Sequence, residues 1–242
     1  MAKTTFSLAY KAIVLMAFVF CQQANAQQFT DLGTWQTINV RSDISNKWSF
    51  FVEAQLRSLS FYNNFHYYEY KGGINYQLHK NLGIMVGLGD YNTYSPGGNF
   101  KTPKQNAELR SWFQVTVKQP LNAVTLEHRY RAEQRFTSAG YRNRFRYRVQ
   151  LTAPLARHNK YKPFWYVGNE IFVTDREPMF ERNRLAAGIG AKLTGNHTVQ
   201  VGFLNQIDYR VNDEIGRNFL QISWLINVDF RQLKQDYSTN TD

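Results

Sequence analysis

The chain has 242 residues, with 29 basic and 18 acidic side chains and a formal charge of +11 at pH 7. Its one cysteine, Cys21, falls within the first 26 residues, so the sequence that follows them excludes disulfides and thiolate metal sites. The length fits one barrel domain, and the positive charge suits either nucleic acid or a membrane surface. We expect no nucleic-acid partner, because the start of the chain indicates export.

The first 26 residues have the pattern of an export signal. A positively charged start precedes an apolar run at 12–20, which is too short to span a bilayer as a helix, and a small-x-small cleavage site follows at 24–26. We expect cleavage after Ala26. The large residue Phe20, directly before Cys21, argues against a lipid anchor on that cysteine.

From residue 27 onward, apolar and polar side chains alternate, which is typical of strands with two different faces. The pattern occurs in eleven segments, near 34–42, 48–57, 67–78, 82–94, 107–118, 123–136, 142–152, 161–174, 181–193, 198–210 and 219–230. Most run 11 to 14 residues, whereas soluble strands have ~5–6 and tilted bilayer-spanning strands need ~9–11. We therefore predict an all-β protein with a single antiparallel transmembrane β-barrel over 27–230, followed by a polar tail at 231–242.

The predicted strand number and connections can be judged against two regularities of outer-membrane barrels. Bacterial barrels normally have an even strand number, so we expect ten or twelve, with a strand missed or merged near 27–42 or one segment that is not a strand. Tight turns are predicted at 42–47, 79–81, 119–122, 157–160 and 194–197, and generally longer links at 58–64, 94–103 and 174–180. Short periplasmic turns and longer outer loops are typical of these barrels, and the short link at 137–140 departs from that pattern.

The apolar face of the predicted strands carries more large side chains than a closed sheet of this size would hold inside. Its aromatic residues are Trp35, Trp48, Tyr68, Tyr70, Tyr76, Phe113, Tyr130, Phe136, Phe145, Tyr147, Trp165, Phe203, Trp224 and Phe230. We predict that this face points outward into outer-membrane lipid, with aromatic girdles near the strand ends and an aliphatic band between them. The alternative is a soluble barrel or sandwich that places the same face inside.

The polar face then points into the barrel, where charged groups need carboxylates or water as partners. The residues predicted to form this interior charge network are Glu53, Glu69, Glu108, Arg110, Glu127, Arg129, Arg131, Glu133, Arg135, Arg144, Arg146, Arg148, Glu170 and Arg184. One interpretation is an ion-pair ladder that fills the lumen and holds the barrel round. The other is a cationic constriction that prefers small anionic solutes, because basic groups outnumber acidic ones along this wall.

Signals of catalysis and of metal or cofactor binding are weak. The histidines are not at metal-ligand spacing, so we expect no metal and no cofactor. His128 and Ser111 are predicted to lie diagonally near each other on the apolar face, as a lipid hydrolase would need for its base and nucleophile. No carboxylate on that face orients His128, so we expect no enzyme. The alternating glycines at 83–89 and 186–193 precede no helix and are interpreted as room in the lumen or close strand approach.

Six stretches carry a resemblance to a known family: GTWQTINV, WSFFVEAQLR, LEHRYRAEQRF, RNRFRYRV, FWYVGNEIFV and RNRLAAGIGAKL. They resemble a family of Gram-negative outer-membrane barrels catalogued only as a domain of unknown function, over nearly all of the chain after residue 26. The resemblance implies a barrel fold and a location in the cell outer membrane, and it brings no catalytic residues. We therefore expect an envelope scaffold or a channel for small solutes or anions. The alternatives are a docking component of an envelope complex and a lipid-modifying enzyme.

Overall fold

The computed structural model of the chain describes residues 27–156, 159–211 and 213–230. The expected export signal at 1–26 and the expected tail at 231–242 lie outside the described residues. Eleven strands are described: β1 (Gln27–Asp43), β2 (Trp48–Ser60), β3 (Asn63–His79), β4 (Leu82–Ser95), β5 (Lys101–Leu121), β6 (Val124–Thr137), β7 (Gly140–Pro154), β8 (Phe164–Thr174), β9 (Phe180–Lys192), β10 (His197–Arg210) and β11 (Asp213–Asp229). In these parts of the chain, no helix has the length and apolar character needed to cross a membrane.

The strands form one closed barrel in chain order, which confirms the predicted all-β barrel. Each strand from β1 to β10 pairs antiparallel with the next. The barrel closes where β1 pairs with β11 in parallel, from Gln27 opposite Ile215 to Asp43 opposite Asp229. The eleven strands match the eleven segments counted from the sequence and the expected range of 10–12, and only the preference for an even number is wrong for the described chain. Because strand direction alternates, the first and last of eleven strands run the same way, and they can close the sheet only as a parallel pair.

The two ends of the barrel are here called the C-rim and the N-rim. The C-rim is the end at which β11 finishes, and its connections are 44–47, 80–81, 122–123, 155–163 and 193–196. The N-rim is the end at which β1 starts, and its connections are 61–62, 96–100, 138–139, 175–179 and 211–212. The predicted asymmetry of short turns and longer loops is wrong. The longest connection, 155–163, lies at the C-rim with the predicted tight turns, while much of the predicted link 94–103 is strand, since Tyr94 and Ser95 still pair with β5.

The outward face of the barrel is apolar and exposed. Val86, Phe145 and Ile189 have relative exposures of 56%, 57% and 59%. Aromatic pairs lie toward both rims, including Trp48–Tyr76 near the C-rim and Phe136–Tyr141 near the N-rim, with ring centroids 4.6 Å and 5.2 Å apart. A band of this kind between aromatic girdles is the surface that a barrel presents to lipid.

Trp35 is the exception among the aromatic residues predicted to face outward. It is 4% exposed, it packs against Phe219 at a centroid distance of 5.7 Å, and the guanidinium of Arg57 stacks on its ring at 3.4 Å. Trp35 shares the lumen face of β1 with Asn39 and Arg41, and the cation of Arg57 on the next strand covers its ring. The interior also buries Phe51, Tyr67, Tyr91, Trp112, Tyr166, Phe172 and Phe219.

Glycines make room for several of these interior rings. A Cβ added at Gly87 would lie 2.2 Å from the ring of Trp112, and one at Gly188 would lie 2.6 Å from the hydroxyl of Tyr166. Real Cβ atoms do not approach other heavy atoms so closely, so each ring occupies space that only glycine leaves open. Both glycines belong to the segments interpreted from the sequence as providing room in the lumen.

We predict that Gly87→Ala lowers the stability of the folded barrel by about 1–3 kcal/mol, because Trp112 must leave its position or the strands must separate. The measurement is the urea midpoint of refolding into detergent micelles, followed by tryptophan fluorescence. Gly195→Ala is the matched control, since no atom lies within 4 Å of a Cβ at that turn position. Equal midpoints for the two variants would contradict the proposed fit between Gly87 and Trp112.

Candidate functional site

The arginines of β6 and β7 face each other inside the barrel. The strand register places Arg131 opposite Arg146 and Arg129 opposite Arg148. Like charges directly across a strand pair repel, so this arrangement is stable only if carboxylates from other positions lie between the guanidinium groups. The interior supplies such carboxylates from β5, β6, β8 and β9.

Glu170 on β8 joins two of these arginines. Its Oε1 accepts hydrogen bonds from Arg129 at 2.5 Å and from the Nε of Arg146 at 2.9 Å. The Nη2 of Arg146 lies 2.8 Å from the same oxygen, and Oε2 lies 3.9 Å from Arg184 on β9. One carboxylate therefore links four strands, β6 to β9, and reduces the repulsion between the guanidinium groups.

Glu133 on β6 has the same role closer to the N-rim. It is 1% exposed, it accepts hydrogen bonds from Arg144 at 2.5 and 2.8 Å, and it accepts one from Arg146 at 2.7 Å. Arg131 lies 3.7 Å away. Removing water from a carboxylate is costly, and here the charge-assisted hydrogen bonds of several guanidinium groups offset that cost.

A third cluster lies at the N-rim end of the same wall. Glu108 accepts from Arg110 at 2.6 and 2.9 Å and also from Arg135, which the register places opposite Arg110. Glu181 on β9 lies 3.0 Å from Arg135, 3.3 Å from Arg144 and 4.0 Å from Arg142. Glu181 was not among the residues predicted from the sequence. It connects β9 to the arginines of β6 and β7 in this cluster.

The wall made by β2 and β3 adds cations that the sequence prediction also missed. Lys71 lies 2.6 Å from both Glu53 and Glu69, and Arg57 donates to Glu69 at 3.0 Å. The guanidinium of Arg57 is held between the rings of Trp35 and Tyr67, at 3.4 and 3.9 Å from their centroids. Stacking of this kind fixes the plane of the cation and leaves only its edges for hydrogen bonding.

All fourteen residues predicted for the interior network form at least one ion pair. Toward the C-rim, the more exposed Glu127 accepts from Arg148 at 2.6 Å. The network also contains residues that the prediction did not include, namely Arg57, Lys71, Arg142, Glu181, Arg182, Asp208 and Arg217. These twenty-one residues comprise thirteen cations and eight carboxylates, so the network keeps a positive excess, to which Lys118 adds a further cation 3.9 Å from Glu127.

Two cavities lie on either side of a central layer of side chains. The N-rim cavity has a volume of about 640 Å³ and the C-rim cavity one of about 380 Å³. The described residues that border both cavities are Trp35, Gln55, Lys71, Arg146 and Arg184, which we call the constriction layer. Only side chains lie between the two cavities, because the described residues include no plug domain and no loop that folds into the barrel.

The 175–179 connection borders the N-rim cavity through Glu177 and Pro178. It is held to the start of β7, since Asn143 donates to Asp175 from its backbone at 3.0 Å and from its side chain at 2.9 Å. The backbone hydrogen bond from Asn143 is the main reason that the pKa of Asp175 lies below its usual value. The entrance to the N-rim cavity therefore has a fixed shape on this side.

The proposed Ser–His pair on the outer face is wrong. Ser111 pairs with Gln134 and donates to its side chain at 2.9 Å, whereas His128 pairs with Val117 and its Nδ1 lies 2.8 Å from the hydroxyl of Tyr147. Six positions along β5, about 20 Å of strand, separate Ser111 from the position opposite His128. Among the residues that the structure describes, no group of three His, Cys, Asp or Glu side chains is arranged to hold a metal.

We predict that Glu133→Gln costs the folded barrel about 3–5 kcal/mol, because it leaves Arg144 and Arg146 buried with less compensating charge. Glu127→Gln, the matched control in the more exposed part of the lumen, should cost no more than about 1 kcal/mol. Urea midpoints in the same detergent measure both. A Glu133→Gln midpoint as high as that of the control would show that the carboxylate does not hold the network together.

The fold was compared with known proteins. The NanC porin structure is similar with a TM-score of 0.49 and 12% identity, over 77% of this chain and 92% of that chain. LpxR from Salmonella typhimurium is similar with a TM-score of 0.43 and 9% identity, over 74% of this chain and 84% of that one. No curated protein sequence matches the chain. A family model matches residues 32–216, and the chain therefore belongs to the family described as "Protein of unknown function (DUF2490)".

Proposed function

We propose that the protein is a narrow outer-membrane pore that prefers small anions. The excess of interior cations over carboxylates on both sides of the constriction layer is the observation that carries this proposal. Membrane insertion is supported by the exposed apolar band, by the aromatic pairs toward both rims and by strands of 11 to 21 residues. Such lengths exceed the ~9–11 residues that a tilted strand needs to cross a bilayer.

The charge of the wall sets the preference for anions. A mobile cation in this lumen meets a net positive wall in a medium less polar than bulk water, where like charges repel more strongly. An anion instead meets an excess of guanidinium groups, among them those of Arg129, Arg131 and Arg148 on the C-rim cavity.

The constriction layer limits the size of the solute. Each cavity exceeds the ~30 Å³ that one water molecule occupies in the liquid by more than tenfold, so a small hydrated or organic anion fits there. Passage between the cavities requires side chains such as Lys71, Arg146 and Arg184 to move aside. These groups have long flexible stems, and three of the carboxylates they leave, Glu69, Glu133 and Glu170, are shared with other cations. Slow passage of small solutes is therefore expected, and passage of oligosaccharides or peptides is not.

A closed envelope scaffold is the second candidate. It is favoured by the nearly complete burial of Glu133 and Arg144, at 1% and 2% exposure, in a network that spans four strands. In a scaffold this network would serve only to fill the lumen and keep the barrel round. The two candidates differ in whether current flows through the protein in a bilayer.

We predict that the wild-type protein in a planar bilayer gives a small current whose reversal potential, under a salt gradient, indicates a preference for chloride over potassium. Arg148→Glu should shift this potential toward cation selectivity, because it reverses one wall charge at the C-rim cavity. Lys160→Glu is the matched control: it makes the same charge change in the exposed 155–163 connection on the same rim.

Two results would refute the pore. An absence of current from barrels shown to be inserted and folded would favour the scaffold. If the Arg148→Glu and Lys160→Glu variants have the same ion selectivity, the charge of the lumen wall does not determine which ion passes.

A further inference from the structure

A β-bulge in β3 turns an additional side chain into the N-rim cavity. The register between β2 and β3 shifts between Arg57, opposite Tyr67, and Ser58, opposite Phe65, so that His66 has no partner across the strand pair. Neighbouring residues on a regular strand point to opposite faces. Here His66 and Tyr67 both line the N-rim cavity, and bulges that re-aim a side chain in this way are frequent next to functional sites.

The imidazole of His66 is buried without using all of its hydrogen-bonding capacity. The residue is 8% exposed, it lines the cavity, and its Nδ1 has no hydrogen-bond partner among the described residues. Its ring lies beside that of Tyr67, with centroids 6.3 Å apart. The Nε of Arg57 also has no partner, and that residue lines the same cavity. Two buried nitrogen atoms in the wall of the N-rim cavity thus have unused hydrogen-bonding capacity.

The charges around His66 are mainly positive. Arg57, Arg182, Arg217 and Asp208 line the N-rim cavity together with His66. Asp208 accepts a hydrogen bond from the Nε of Arg182 and lies 3.6 Å from Arg217. The three guanidinium groups of Arg57, Arg182 and Arg217 thus have two carboxylate partners, Glu69 and Asp208, so one positive charge remains unbalanced.

We infer that this part of the N-rim cavity is a binding site for the oxyanion group of a small carboxylate or phosphate compound. Guanidinium groups recognise these planar or tetrahedral oxyanions through paired N–H donors, and an imidazole nitrogen adds a hydrogen bond as donor or acceptor. The ring stack that holds Arg57 between Trp35 and Tyr67 orients its edge before the ligand arrives. The cavity of about 640 Å³ leaves space for a small organic substituent beside the oxyanion.

The site deepens the proposed function, since it names the class of anion that the lumen would select, and it rests on the N-rim cavity being open to solutes. Its test does not rest on conduction. The full chain in detergent is titrated with inorganic phosphate and, separately, with acetate, and binding is followed by equilibrium dialysis of the labelled anion in a constant background of chloride.

We expect phosphate or acetate to bind with saturation and His66→Phe, which keeps an aromatic ring but removes both nitrogens, to weaken that binding at least tenfold. His79→Phe, at an exposed position on the C-rim, is the matched control and should bind as the wild type does. Arg182→Gln is a second variant, which should also weaken binding because it removes one of the three nearby cations.

Equal binding by wild type and His66→Phe would overturn the site, as would displacement of phosphate by an equal concentration of chloride. Where His66→Phe does not fold, unchanged binding by Arg182→Gln has the same consequence. Absence of oxyanion binding together with anion-selective current would reject this site and leave the proposed pore intact. Absence of both would reject the two proposals together.

Discussion

The architecture of this barrel depends on the neutralisation of charge in a narrow space away from bulk water. Opposing arginines on β6 and β7 cannot be neighbours unless carboxylates lie between them. Glu133, Glu170 and Glu181 each contact at least three guanidinium groups, so each acidic side chain connects several strands. The same contacts that stabilise the closed sheet therefore shape the lumen, so one network would set both the stability of the barrel and the proposed passage of anions.

Aromatic rings and glycines complete the interior in a way that charge alone does not. Trp112 lies over Gly87, and Arg57 lies between Trp35 and Tyr67. Rings make the guanidinium planes rigid, while the missing side chains at glycine positions allow the rings to fit inside a small barrel. The constriction layer accordingly combines an aromatic ring, that of Trp35, with the charged side chains of Lys71, Arg146 and Arg184.

The sequence predicted the barrel and much of its interior, because alternation with period two assigns a face to every residue of a long strand. Arg129 to Arg148 could be placed in the lumen for that reason. Trp35 was assigned to the wrong face because it is aromatic, although period two places it with Asn39 and Arg41 on the lumen face of β1. Glu181 was missed because it lies at a register shift between β8 and β9, where it and its neighbour Arg182 both line the N-rim cavity. Asp208 lies on a strand with weaker alternation, directly opposite its partner Arg182. His66 was missed because a bulge breaks the period locally.

The parallel pairing of β1 with β11 has a consequence for topology across the membrane. In an even-stranded barrel the first and last strands begin and end on the same side. Here β1 starts at one mouth of the cylinder and β11 finishes at the other. Epitopes attached just before β1 and just after β11 would therefore be reached by antibodies from opposite compartments, which distinguishes this arrangement from any twelve-stranded relative.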